Sequence, residues 1–325
     1  MYICSGIPQG RGASTATIVI ALGGNAILQP GQAGTAAEQA ANIHETCLQI
    51  VELICAGHRV VITHGNGPQV GNLLIQQEEA SGVVPPMPMD VCGAMSQGLL
   101  GYWIQNELGN LLRARGRNLP VVTVVTQVLV DRTDPAFQNP TKPVGPFYTP
   151  ARAQRLAEER GWQMKEDASR GWRRVVPSPD PKAIWEKESI LNLIQAGAVV
   201  ICSGGGGVPV YRADDQLHGC EAVIDKDLAG ERLAVDVGAD IFCILTDVPK
   251  VALRYKQPDQ LLLDKVDVAT MRSHQKAGHF KAGSMGPKVE AVLRFVESTG
   301  HVGVIAALNQ ATAAIAGDAG TRIVP

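Results

Sequence analysis

Several familiar signatures are missing from this 325-residue sequence. No run of lysine and arginine is dense enough to bind nucleic acid or an anionic membrane surface, and the formal charge is only −2. No apolar run approaches the roughly 20 residues that a membrane span needs. The seven cysteines are scattered, without a CxxC pair or a Cys/His cluster of zinc spacing. Reduced thiols, and with them a cytoplasmic protein, are the expectation. Residues 1–15 lack the apolar core and small-residue cleavage pattern of a signal peptide and are expected to form a flexible leader. The absence of GxxxxGK(S/T) excludes a P-loop, and "GNGPQVG" at 65–71 has one residue too many for GxGxxG. No Ser/His/Asp or Cys/His set stands out, and His64 beside Gly65 is expected to cap a turn rather than act as a base.

What is present is a repeated plan of strand, glycine loop and helix. "TIVIALGGN" is a β-branched run ending in glycines. Residues 35–56 follow with Ile43, Cys47, Ile50, Val51 and Ile54 on one helical face and Gly57 as a stop. A strand at 59–63, a second glycine turn and a helix with Pro68 at its first position repeat the pattern. Residues 97–116 predict a helix with Leu100, Ile104, Leu108, Leu111 and Leu112 on one stripe, and 121–130 a single buried strand. "AGAVVICSGGGGVPV", "ADIFCILTDV" and "HVGVIAAL" supply further strands, and another helix opens at Pro287. Continuous apolar strands alternating with helices imply an α/β fold with a mainly parallel sheet covered on both faces. Ligands bind outside the carboxyl ends of such strands, where the glycine loops fall.

Between Asp131 and Pro181 the composition shifts, with eight of the twenty prolines and two of the four tryptophans, Trp162 and Trp172. This predicts a small subdomain inserted at about 131–181 in an N-terminal lobe, 16–190, with 191–325 as a C-terminal lobe. "NPTKPVGPFYTP" at 139–150 reads as a stiff arm that leaves the core, because proline cannot donate to a sheet ladder. Residues 162–179 read as a hairpin turning at Ser169–Gly171.

Three glycine turns follow strands: Gly23–Gly24–Asn25, Gly65–Asn66–Gly67 and Gly204 to Gly207. Such turns let backbone amides approach an anion near a helix N-terminus, and three at equivalent strand ends can line one site. The charged candidates are Lys226, flanked by Asp225 and Asp227, and Lys288, which follows a glycine–proline helix start. Phosphoryl transfer asks little covalent chemistry of a protein. It needs positive charge on the moving oxygens and a carboxylate to order the lysines or Mg²⁺. Lys226, Lys288 and Asp227 meet that need, and Lys142 on the arm adds a third cation.

With these loops collected, the chain closely resembles the carbamate kinases of the amino acid kinase superfamily. The resemblance rests on "ALGGNA", "THGNGPQVG", "MDVCGAMSQGLLGYW", "DPAFQNPTKPVGPFY", "SGGGGVPV", "EAVIDKDLA", "LTDV" and "GSMGPKVEA", in family order from about residue 17 onward. It implies an open three-layer αβα sandwich with a protruding inserted subdomain, assembled as a homodimer. It also implies reversible transfer from ATP to carbamate, giving ADP and carbamoyl phosphate with Mg²⁺, often run toward ATP in catabolism of arginine, agmatine or purines. By motif, Gly23, Gly24, Asn25, Gly65, Asn66, Gly205 and Gly206 would line the carbamoyl and phosphoryl site. Lys226, Asp227 and Lys288 would stand at the transferring group, and Thr246, Asp247, Val248, Met285 and Gly286 would border the nucleotide. Acetylglutamate kinases carry a lysine where Asn25 stands, so Lys142 is expected to replace it from the arm. Two departures are Gly230 inside the helix that follows Lys226, and Ala252 and Leu253 where the family is usually more polar. Other readings are a kinase for a different small carboxylate or phosphonate, and a sensor that binds carbamoyl phosphate or nucleotide without turnover.

Overall fold

The computed structural model describes residues 15–167, 171–281 and 283–325. The expected leader, apart from Thr15, and residues 169–170 of the hairpin turn therefore lie outside the described residues. The chain opens with β1 (Thr17–Leu22), buried throughout. A capping box between Thr35 and Glu38 starts α1 (Ala36–Cys55), and β2 (Arg59–His64) returns parallel to β1. In α2 (Gly67–Glu79) the proline stands one position later than the sequence suggested. Next, α3 (Met89–Ala114) extends further back than the expected start at 97, because Met89, Cys92 and Ser96 continue its buried face; Leu111 is only partly buried.

The expected single strand at 121–130 is two strands, β3 (Val121–Thr123) and β4 (Gln127–Val130), in different sheets. The buried Gln97 side chain breaks the run, accepting from Thr126 N at 2.8 Å and donating to Thr126 O at 3.1 Å. Thr126 Oγ1 in turn accepts from Ser203 N at 2.9 Å.

The inserted segment contains β5 (Lys142–Tyr148), α4 (Pro150–Arg160), β6 (Met164–Glu166) and β7 (Trp172–Val176). The proline arm leaves the main sheet as expected, yet it is itself a strand. It forms the edge of an antiparallel sheet ordered β5-β7-β6, with its register broken between Val144 and Tyr148. An edge position tolerates Pro143 and Pro146 because their missing amides face no partner strand.

The chain continues through β8 (Pro181–Ile184), α5 (Lys187–Gln195), β9 (Val199–Ile201), β10 (Val208–Ala213) and β11 (Gln216–Gly219). It then forms α6 (Lys226–Asp236), β12 (Ile241–Thr246), the short pair β13 (Ala252–Leu253) and β14 (Leu261–Leu262), β15 (Lys265–Asp267) and α7 (Val268–Lys276). The last elements are α8 (Met285–Thr299), which opens two residues before Pro287, then β16 (Val302–Ala307), α9 (Ala311–Ala316) and β17 (Thr321–Val324).

The main sheet has the order β15-β17-β16-β12-β1-β2-β9-β3, with β15 and β17 running against the rest. Alternation along β1 divides the core in two. Ile18, Ile20 and Leu22 join α1, α3 and α9 on one face, whereas Val19 and Ala21 join α6 and α8 on the other. The result is a three-layer αβα sandwich. No break in the sheet falls at residue 190, since β9 lies between β2 and β3 and β12 lies beside β1.

Two glycines in this frame stand at tight packing positions. A Cβ on Gly230 of α6 would come within 3.3 Å of Phe242 and Thr63, so the helix glycine buys a close approach to the sheet. A Cβ on Gly303 of β16 would sit 2.1 Å from Val292 Cγ1 beneath α8. Gly303→Ala is expected to lower stability by about 1–3 kcal/mol through this overpacking, seen as a lower denaturation midpoint.

Candidate active site

Three turns at the carboxyl ends of β1, β2 and β9 meet in a cleft of about 270 Å³. Ser203, Gly205, Gly206 and Gly207 all have positive φ. A Cβ on Gly205 would collide with the Asn66 side chain at 2.1 Å, and one on Gly206 with Ile224 O at 2.4 Å. Glycine is therefore required where this turn is pressed against its neighbours. The Asn66 amide above it donates to Ser96 Oγ at 2.6 Å. Lys226 crosses the second turn so closely that a Cβ on Gly65 would lie 3.0 Å from its Cδ.

The cations are ordered by two carboxylates at the start of α6. Asp225 caps the helix by accepting from Asp227 N at 3.0 Å, and its other oxygen holds Lys142 Nζ at 3.0 Å. Asp227 is only 3% exposed. Its Oδ1 accepts from Lys226 Nζ at 2.6 Å and its Oδ2 from Lys288 Nζ at 3.2 Å. Burial alone would raise the Asp225 carboxyl. The charge and hydrogen bond of Lys142, the Asp227 amide and Lys226 outweigh it and hold the group below its ordinary value. Three lysines and two carboxylates leave the cleft one positive charge, suited to an anion.

Beside it lies a second cavity of about 150 Å³, which shares Ser284 and Lys288 with the cleft. Thr246, Asp247, Val248 and Met285 line it, as do Tyr255 and Phe280.

Of the residues expected from sequence, Gly24, Gly65, Asn66, Gly205, Lys142, Lys226, Asp227 and Lys288 come together in the cleft. Gly23 and Gly206 stand behind its wall: Gly23 N donates to Leu245 O at 2.9 Å, and Gly206 backs onto Ile224. Asn25 sits in a short 3₁₀ turn, half-buried, and does not line the cleft. Gly286 is likewise a support rather than a wall, its amide donating to Lys281 O at 2.9 Å. His64 is buried and bonds its own turn through Nδ1 and Gly65 O, and burial pushes its pKa down to about 4. Ala252 lines the second cavity while Leu253 belongs to the core. Sequence reasoning missed Asp225 as a partner for Lys142; its signal was the alternating Asp-Lys-Asp triplet. It also missed Tyr255 and Phe280, which lie in a stretch without periodicity.

The amino acid kinase family model matches residues 16–307. A carbamate kinase of Pyrococcus furiosus is 56% identical over 310 residues, covering 95% of this chain and 99% of the relative. One from Trichomonas vaginalis is 49% identical over 315 residues, with 95% and 99% covered. A solved carbamate kinase from Giardia lamblia bound to AMP-PNP superposes with a TM-score of 0.92 at 46% identity, covering 96% of this chain and 99% of that one. The chain belongs to the amino acid kinase family, which makes it a phosphotransferase. Within that family it stands among the carbamate kinases.

One turn beyond Asp227, Glu231 is buried at 7% exposure. Burial pushes its carboxyl up to about 7, against the pull of Arg232 and Arg294. The folded protein thus binds this proton more tightly than the unfolded chain. The group's contribution to stability is fully present below about pH 4.5 and is lost as pH rises through about 7. Glu231→Gln is expected to raise the melting temperature at pH 8, by roughly 1–3 kcal/mol of stability, and to leave it unchanged near pH 4.

Proposed function

We propose that the cleft transfers a phosphoryl group reversibly between carbamoyl phosphate and ADP, with net flux toward ATP. The observation that carries this reading is the shared carboxylate of Asp227, which points Lys226 and Lys288 at one place where the cleft meets the second cavity. The terminal phosphate oxygen of ADP attacks phosphorus, the bond from phosphorus to the carbamate oxygen breaks, and carbamate leaves with the electron pair. No protein nucleophile and no net proton enter this balance. Lys226 and Lys288 neutralise the equatorial oxygens, Lys142 covers them from the arm, and the amides around Gly24, Gly65 and Gly205 bind the small carbamoyl end. Thr246, Asp247, Val248 and Met285 border the nucleotide, with Gly23, Asn25, Gly206 and Gly286 shaping the walls.

Mg²⁺ fits this donor set as an ion carried by the nucleotide phosphates, the usual way a protein handles it in phosphoryl transfer. No group of three His, Cys, Asp or Glu side chains forms a cage among the described residues. Asp225 and Asp227 are engaged by lysines. The ion supplies further neutralisation of phosphate charge.

A homodimer is supported by the exposed apolar residues Val91, Met95, Leu99 and Tyr102 along α3, next to the sheet edge at β3. A cytoplasmic location suits the buried free thiols Cys47, Cys92, Cys202 and Cys243.

ATP formation from ADP, Mg²⁺ and carbamoyl phosphate tests the reaction, with acetyl phosphate as the competing donor. Lys226→Ala is expected to lower kcat about 10²–10³-fold, the scale for one preorganised charge contact. Binding of carbamoyl phosphate without turnover in the wild type would favour a sensor instead. Tyr102→Glu is expected to convert a dimer to a monomer in sedimentation; an unchanged sedimentation coefficient would place the interface elsewhere.

A further inference from the structure

The arm that carries Lys142 is fastened at a second point, remote from the cleft. Glu78, in the last turn of α2, accepts from Tyr148 Oη at 2.7 Å through one oxygen and from Arg152 Nη2 at 2.9 Å through the other. Tyr148 ends β5 and Arg152 lies in the first turn of α4, so both donors belong to the inserted subdomain. The Glu78 side chain is 14% exposed. A carboxylate near a helix C-terminus faces the negative end of the macrodipole and gains nothing from its own helix. Its two donors across the gap account for its place, and bonds to a charged acceptor are the strong kind. Burial, together with the Glu78 carboxylate it donates to, pushes the Tyr148 phenol well above its ordinary value, so the hydroxyl keeps its proton.

Between its two fastenings the arm is paired with β7, Arg173 donates to Gly145 O, and a small apolar cluster seats it on α2. Val144 and Val176 form with Met89 a cluster of three buried residues, flanked by Leu74 and Val223. A cavity of about 260 Å³ lies alongside, with Glu78, Pro146, Tyr148 and Trp162 in its walls. Loss of a charged bond at one fastening shifts the population of the seated arm.

We propose that Glu78 is a positioning residue: it latches the inserted arm to the C-terminal end of α2 and thereby sets Lys142 over the cleft. The N-terminal end of the same helix presents Pro68 and the Asn66 turn to that cleft. One rigid element therefore carries both the substrate wall and the catch that holds the arm above it. Lys142 rests on Asp225, and the latch keeps it within reach of an incoming phosphoryl group. This inference rests on the proposed role of Lys142 in phosphoryl transfer.

Amide hydrogen exchange and ATP formation from carbamoyl phosphate, ADP and Mg²⁺ are measured on the full chain. The set is wild type, Glu78→Gln, Tyr148→Phe, Lys142→Ala and the Lys142→Ala/Glu78→Gln double variant. Amides of β5 and β7 are expected to exchange roughly tenfold faster in Glu78→Gln, and to a smaller degree in Tyr148→Phe, with β1 and β2 unchanged. The kcat of Glu78→Gln is expected to fall about tenfold while KM for ADP stays constant, and the double variant to be no slower than Lys142→Ala alone. Unchanged exchange in β5 and β7 overturns the latch. Additive losses in the double variant also overturn it, because Glu78 would then act otherwise than through Lys142. Tyr148→Phe, which removes one hydroxyl, decides the matter if Glu78→Gln does not fold. An inactive wild type would sink the phosphoryl-transfer reading alone, since the exchange rates would still decide whether the latch exists.

Discussion

Two lysines brought close together repel, and the buried carboxylate of Asp227 is what allows Lys226 and Lys288 to share a cleft. Each of its oxygens holds one ammonium, and neither lysine has to be neutralised by substrate before the protein can fold. The arrangement fixes the relation of two helices, since Lys226 and Asp227 open α6 while Lys288 comes from the first turn of α8. Those helices pack side by side under the sheet, where Phe295 of α8 meets Phe242 of β12 at 5.7 Å between ring centroids. Gly230 permits α6 to approach closely enough for that packing. A propensity cost of about 1 kcal/mol in a helix is thus offset by tertiary fit.

Much of this was legible in the chain, for identifiable reasons. Period-3.6 stripes such as Leu100, Ile104 and Leu108, and apolar runs such as Thr17–Leu22, report burial directly, so fold class and layering followed. The glycine turns and the Asp225–Lys226–Asp227 triplet marked the cleft. What stayed hidden depends on partners distant in sequence. Nothing near 124–126 announces a change of sheet, because the agent is Gln97, 29 positions away. The proline arm hid a strand because propensity rules describe central strands better than edges. The partition of the two aspartates, one for Lys142 and one for the other lysines, required knowing that residues 83 apart in sequence meet.

The inserted subdomain is tied into the frame at its root as well as its arm. Asp180, just before β8, accepts from Arg294 of α8 at 2.6 Å, and Arg294 also donates to Glu290 at 2.8 Å. Arg272 of α7 reaches the same Glu290 at 2.5 Å and Glu297 at 2.6 Å. Burial by itself would raise the Glu290 carboxyl, but the bonds from Arg294, Gln275 and Arg272 bring it down to about 2. A connected set of charges thus runs from α7 through α8 to the segment from which the insert departs. The helix that supplies Lys288 is braced against the base of the subdomain that supplies Lys142.

The pairing of β1 with β12 also governs how the chain is made. Thr17–Leu22 lies in the middle of the sheet, yet one of its two neighbours is Ile241–Thr246, and Asp240 closes the junction by accepting from Thr17 N at 2.7 Å. During synthesis at ~5–20 residues per second, the first strand waits on the order of tens of seconds for that neighbour to emerge from the ribosome. Throughout that interval a largely apolar strand with one unsatisfied edge is available to other chains. The fold that gives the cleft its central position therefore leaves a buried central strand without its second partner through most of biosynthesis.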